Sequence, residues 1–162
     1  MLRSRVRAAA RYVLCIAAAC AALAVSTGCG SPAQAGPAIT LISAQVTQPG
    51  AAGITDAYVI VQNSGPADKL ISARSSAGGV VQLRSPRHGG VIEMHTVPSI
   101  PIPADSLVRL SPNASHLLIT DSGHMRAGRE ITLTLVFAHA GAISVPAMVT
   151  NPQTGGGSYF LN

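Results

Sequence analysis

Glu130-Ile-Thr-Leu-Thr-Leu-Val-Phe-Ala138 is the stretch that decides the fold. Ile131, Leu133, Leu135 and Phe137 occur at every second position. A period of two sends all four to one face of a strand, whereas a helix would scatter them around its circumference. The alternating threonines and Val136 suit the pleated opposite face. His139-Ala140-Gly141 then reads as a turn into a further strand over 142–150.

The rest of the chain speaks the same language on both sides of this segment. Short β-branched runs cover 38–47, 58–62, 69–74, 80–84, 91–97, 106–110 and 116–120. They are separated by turn formers such as Asn63-Ser64-Gly65-Pro66, Ser75-Ser76-Ala77-Gly78-Gly79 and Ser111-Pro112-Asn113-Ala114. Pro98 to Pro103 holds three prolines, which restricts it to a loop or a sheet edge. Within 38–47, alternation sets Ile39, Leu41, Ser43 and Gln45 against Thr40, Ile42, Ala44 and Val46. No long stretch carries helical periodicity. The expectation is an all-β chain, a Greek-key β-sandwich of about eight or nine short strands.

The N-terminus belongs to a different class. Arg3, Arg5, Arg7 and Arg11 precede the apolar run from Tyr12 to Val25, 14 residues long. A bilayer span needs ~20 such residues, so this run fits a signal h-region. Ser26-Thr27-Gly28-Cys29 resembles a bacterial lipobox, with Ser26 where Leu is usual and Cys29 as the lipidated residue. Cleavage after Ala33-Gln34-Ala35 is the competing reading. The expected division is a lipoprotein-type signal peptide over 1–28, lipidated Cys29 and a flexible linker over 29–37, the folded domain over 38–150 and a Gly-rich tail over 151–162.

Removing the leader changes the charge argument. The formal charge of the chain is +5. Without the four leader arginines, seven basic residues face six acidic ones, a net of +1. No basic stripe remains to release counterions, which argues against a nucleic-acid partner. Of the three cysteines, Cys15 and Cys20 leave with the leader and Cys29 carries lipid. The domain therefore has no disulfide, thiol nucleophile or thiolate ligand. It also lacks a G-x-S-x-G or H-E-x-x-H motif and any obvious acidic pair, so an enzyme is not expected. A metal would have to be held by His, Met or carboxylate.

From about Ile39 to Pro146 the order of short motifs resembles the periplasmic copper chaperones of the PCuAC type. The motifs are Gln48-Pro49-Gly50, Tyr58 to Asn63 followed by Ala67-Asp68-Lys69-Leu70, Val80-Val81-Gln82-Leu83, Ile102-Pro103-Ala104, Leu110 with Pro112, and Gly128 followed by Ile131 to Phe137 and Ala140-Gly141. The resemblance implies a cupredoxin-like fold and a Cu(I) site of two His and two Met. Carried over residue by residue, Met94 matches the first Met and His116 the second His, 22 positions later. Arg84 stands where the first His belongs, and Leu118 where the last Met belongs.

A thioether and an imidazole suit a soft ion such as Cu(I). The plain alternatives are a gap-filling core Met beside Ile92 and a half-exposed His at the start of a strand. His88, His124 and Met125 are conceivable replacement ligands from loops. His95 adjoins Met94, but alternation turns it to the other face. Arg84 opposes a cation unless it points away or pairs with Glu93 or Asp121. Two functions follow as expectations. One is a copper chaperone, lipid-anchored on the extracytoplasmic side of the cell membrane, that binds Cu(I) and hands it to a membrane acceptor, for instance in copper oxidase assembly. The other is the same fold without metal, acting as a cell-envelope protein-interaction lipoprotein.

Overall fold

The computed structural model describes residue 36 and residues 38–87, 93–123 and 125–151. They belong to the unit spanning Gln34–Asn162. The leader, Cys29, His88, His124 and the tail beyond Asn151 lie outside the described residues.

Among the described residues there are ten strands: β1 (Ile39–Thr47), β2 (Thr55–Asn63), β3 (Asp68–Ser75), β4 (Val80–Pro86), β5 (Met94–Thr96), β6 (Ile100–Ile102), β7 (Ser106–Leu110), β8 (His116–Thr120), β9 (Glu130–Phe137) and β10 (Gly141–Thr150). They are hydrogen-bonded in the order β5-β4-β8-β2-β1-β10-β9-β3-β6, with β7 paired to β2 beyond the end of β8. All pairings are antiparallel except β1 with β10. The all-β expectation holds. The layers of the sandwich are one continuous sheet that curls until β3 lies against β4.

The core is the inner surface of this curl. Leu133, Leu135 and Phe137 of β9 are buried there, as the alternation of 130–138 requires. They meet Leu70 of β3, Val59 and Val61 of β2, and Leu117 and Ile119 of β8. Each fully buried side chain of this size contributes roughly 1.5–3 kcal/mol by leaving water. The stretch 98–103, with its three prolines, contributes the edge strand β6, which holds Pro101. Ile100 and Ile102 point into the core, and exposed Pro101 interrupts an edge that would otherwise template further pairing.

The alternation read from 38–47 breaks in the middle. The register of β1 against β2 shifts between Leu41 and Ser43. Ile39 and Leu41 pack on the core, and after the bulge Ala44 and Val46 do so instead. Ile42 is left 53% exposed. A bulge inserts one unpaired residue and switches the face of every later side chain. Its consequence is that Gln45, opposite Tyr58, faces away from the core.

Two features fix the loops. Gly79 has a φ of 84°, and a Cβ there would run into the carbonyl oxygen of Thr120, so only glycine fits the approach of β4 to β8. Asp68, at the start of β3, is fully buried and binds the β9–β10 turn. Its Oδ1 accepts from the amides of Lys69 and His139, its Oδ2 from the amide of Ala140 at 2.9 Å, and His139 Nδ1 lies 3.0 Å from Oδ1. Burial pushes the Asp68 carboxyl up. The amides of Ala140 and Lys69 and the ring and amide of His139 outweigh it and hold the group below its ordinary value.

Candidate functional site

The strands β5, β4, β8 and β2 place one row of side chains on the face turned away from the core. Arg84 is directly opposite His116 on one side and Thr96 on the other. Met94 is opposite Pro86, two residues further along β4. Leu118 is opposite Gln82 and Asp56. Directly opposed residues share a face, as do residues two apart. Met94, Thr96, Arg84, His116, Leu118 and Asp56 are therefore all on one surface. Met94 and His116 are brought to one face, with Arg84 between them. At a strand spacing near 4.8 Å, their Cα atoms stand roughly 12 Å apart.

The local sequence explains each placement. Ala57, Val59 and Val61 commit one face of β2 to the core, so Asp56 and Tyr58 must occupy the other. Leu117 and Ile119 do the same for β8 and turn His116 and Leu118 outward. His116 is nevertheless only 7% exposed. Tyr58 covers it edge-on, with ring centroids 6.1 Å apart. Burial pushes the Tyr58 hydroxyl up, and the nearby Asp56 carboxylate pushes it further.

The hydrogen bonds of His116 fix its tautomer. Nδ1 lies 3.2 Å from the carbonyl oxygen of Ala114. A carbonyl only accepts, so Nδ1 carries the proton. In the neutral ring, the lone pair is then on Nε2, the form a metal ligand needs. Nε2 faces Asp56 Oδ1 at 3.5 Å.

Arg84 points away from this pair. Its guanidinium donates to the carbonyl of Met94 at 2.5 Å and to Thr96 Oγ1 at 3.3 Å, both on β5. Thr96 Oγ1 in turn donates to Gln82 Oε1 at 3.1 Å. The cation is thus drawn to the Met94 side of the row, and its partners are neither Glu93 nor Asp121.

The remaining candidates fall elsewhere. Met125 is 4% exposed and belongs to the hydrophobic core. It lines a groove with Gln48, Gly53 and Ser122, at the end of β8 opposite to His116. Strand length alone separates the two, since β8 runs its full five residues between them. Met125 therefore does not supply the ligand missing at Leu118. His95 is opposite Ser85 on the other face from Met94, with no register shift in between, and its Nδ1 is buried without a hydrogen-bond partner among the described residues. Met148, near the end of β10, is 46% exposed. Among the described residues, no three His, Cys, Asp or Glu side chains cluster as a metal site would require. No helix among them is long and apolar enough to cross a membrane.

Sequence reasoning missed Asp56. It is separated from His116 by 60 positions, and no motif links them. The available signal was the alternation of 55–61, which puts Asp56 and Tyr58 together on the face opposite to Ala57 and Val59.

Comparisons with known proteins agree with this architecture. A family model described as LpqE-like, "Putative lipoprotein LpqE-like", matches residues 38–149. No curated protein matches the chain. Among solved structures, the copper-bound PCuAC domain from PmoF2 is 28% identical with a TM-score of 0.59, covering 73% of this chain and 97% of its own. The apo-DR1885 structure from Deinococcus radiodurans is 26% identical with a TM-score of 0.54, covering 72% and 83%. The CuI-DR1885 structure from the same organism is 24% identical with a TM-score of 0.58, covering 76% and 83%, and bears on the fold alone.

Proposed function

The chain belongs to the LpqE-like family, and from that membership we propose that it is an extracytoplasmic lipoprotein that binds Cu(I) as cargo and passes it on. The observation that carries this reading is the shared face of Met94 and His116, with Nδ1 of His116 bonded to the Ala114 carbonyl so that Nε2 is the nitrogen turned to a ligand, beside Asp56. A thioether and a neutral imidazole are the donors a soft monovalent ion prefers. The likeness to a copper-bound PCuAC domain supports the same chemistry. Transfer requires no bond making in a substrate, only stepwise replacement of two protein ligands by those of an acceptor. A site with two ligands suits release better than a closed one. Met94 carries no titratable group, so its own hold on the ion does not depend on pH. The chaperone relatives and the absence of nucleophile motifs both argue against an enzyme.

Cys29 supplies the anchor in this reading, with 29–37 as the tether and the leader over 1–28 removed. Cys29→Ala should release the protein from membranes. A wild-type chain already found in the soluble fraction would contradict the anchor.

Arg84 favours a second reading. A permanent cation occupies the strand between the two ligands, where relatives of the PCuAC type carry a His. In that reading the face binds a protein partner in the cell envelope and no metal. Cu(I) titration of residues 30–162 against a competing chelator decides between them. Copper retained at micromolar concentration, and lost in Met94→Ala and His116→Ala, supports the cargo reading. Failure of the wild type to compete supports the metal-free one.

A further inference from the structure

Six large apolar side chains stand exposed among the described residues, and four of them are spread over β1, β3, β7 and β10. The other two meet. Val80 opens β4 directly opposite Thr120 of β8. Ile54 immediately precedes β2, where Thr55 is opposite Ile119, so it approaches Thr120 from the other side. Ile54 is 50% exposed and Val80 56%. Two positions back along β8, half-buried Leu118 lies on the same outward face, opposite Asp56 and Gln82. The three aliphatic groups thus surround Thr120 across a width of three strands, about 10 Å. The local sequence leaves them no other place. Thr55 and Ala57, Val81 and Leu83, and Leu117 and Ile119 take the core side, and alternation turns 54, 80 and 118 to water. Contiguity is what separates a contact surface from the ordinary scatter of exposed apolar residues.

The charges around the patch say what covers it. Asp56 is 40% exposed by its side chain, and Asp121 follows Thr120 in an exposed position. Among the described residues neither carboxylate pairs with an arginine or lysine, and Asp56 has only His116 beside it. The Arg84 guanidinium is held on β5, at the Met94 carbonyl and Thr96. A second copy docked here would bring two acidic rims together, which is unfavourable. Ile54 and Val80 offer roughly 200 Å² between them, well short of the ~800 Å² each partner buries in a stable complex. Charge and area both favour a transient contact with a different protein. We propose that Ile54, Val80 and Leu118 form a docking patch for a protein partner that presents aliphatic side chains flanked by Lys or Arg. The aliphatic groups pack around Thr120, and the cations meet Asp56 and Asp121. The patch adjoins the row of Met94, Arg84 and His116, so a partner seated on it stands beside whatever that row holds. The inference rests on the reading of this face as the functional one and holds with or without copper.

The probe is a random peptide library displayed on phage and selected on the metal-free, full-length chain. Wild type should enrich peptides with aliphatic residues flanked by Lys or Arg. Their affinity should fall by about tenfold or more in Ile54→Asp and in Val80→Asp. It should stay unchanged in Ile71→Asp, a control on β3. Selection on Asp56→Lys should switch the flanking preference to Asp or Glu. No enrichment, enrichment without a charge preference, or binders indifferent to Ile54→Asp and Val80→Asp overturn the proposal. Sedimentation that shows a dimer dissociated by Ile54→Asp also overturns it, because the occupant is then a second copy. Metal is absent throughout, so this test and the Cu(I) titration fail independently of each other.

Discussion

Two Asp–His pairs occur among the described residues, and they are built differently. Asp68 is fully buried, while its partner His139 is 68% exposed by its side chain. Three backbone amides and the imidazole satisfy the carboxylate, and the pair ties β3 to the β9–β10 turn. Asp56 and His116 reverse that arrangement. Here the imidazole is buried and the carboxylate open, and the separation is 3.5 Å rather than 3.0 Å. A satisfied pair holds strands together. The same two residue types thus lock a turn near one end of the sheet order and sit on the candidate binding face nearer the other.

The largest expected effect breaks the first pair. Asp68→Ala leaves three amides without their acceptor, and each unsatisfied buried group costs about 1–3 kcal/mol. A loss of about 3 kcal/mol or more in urea denaturation is expected. Asp56→Ala, on an open face, should cost no more than about 0.5 kcal/mol. Equal losses in the two variants would erase the distinction.

Acid sharpens the comparison. The folded-state pKa of Asp68 is lowered, so on acidification the unfolded chain takes up its proton first. The stability due to this pair is full above the ordinary carboxylate value and is lost as pH falls through the lowered one. Asp68→Asn should flatten the acid limb of a stability–pH profile, read by denaturant midpoints. A limb as steep as wild type would place the acid sensitivity elsewhere.

Arg84→His removes a fixed cation from the binding face and adds a donor opposite to His116. Cu(I) affinity should rise by about tenfold or more, since 1.4 kcal/mol corresponds to a factor of ten. An unchanged or lower affinity, measured by chelator competition, would mean that the guanidinium does not oppose the ion. The smallest effect is expected from Tyr58→Phe. The edge-on ring over His116 is retained, so stability should move by about 0.5 kcal/mol at most, with metal affinity unaltered.

What was legible in the sequence follows from the range of the signals. The strand over 130–137 is a consequence of a two-residue period, which any short window displays; the same period put Met94 and His95 on opposite faces but left open which of them met the core. The bulge at Leu41–Ser43 is not, because it depends on how β1 pairs with β2. It turns Gln45 outward and Ala44 and Val46 inward against the simple alternation. The three prolines of 98–103 limited that stretch to a loop or an edge, and only pairing with β3 made it an edge strand. In the binding face, Met94 and His116 could be placed by motif order. Asp56 could not, because it meets His116 only after β2 and β8 pair. Met125 read as a loop residue free to reach the rim. The core claimed it, since the chain after Asp121 folds back over the β1–β2 turn rather than towards His116.

X-ray absorption at the copper edge tests the central claim most directly, on Cu(I)-loaded full-length chain beside Met94→Ala. The account predicts one sulfur and one nitrogen neighbour in wild type, with the sulfur missing from the variant. A wild-type spectrum without sulfur, or a variant that keeps it, would contradict the assignment of Met94 and His116 to one ion.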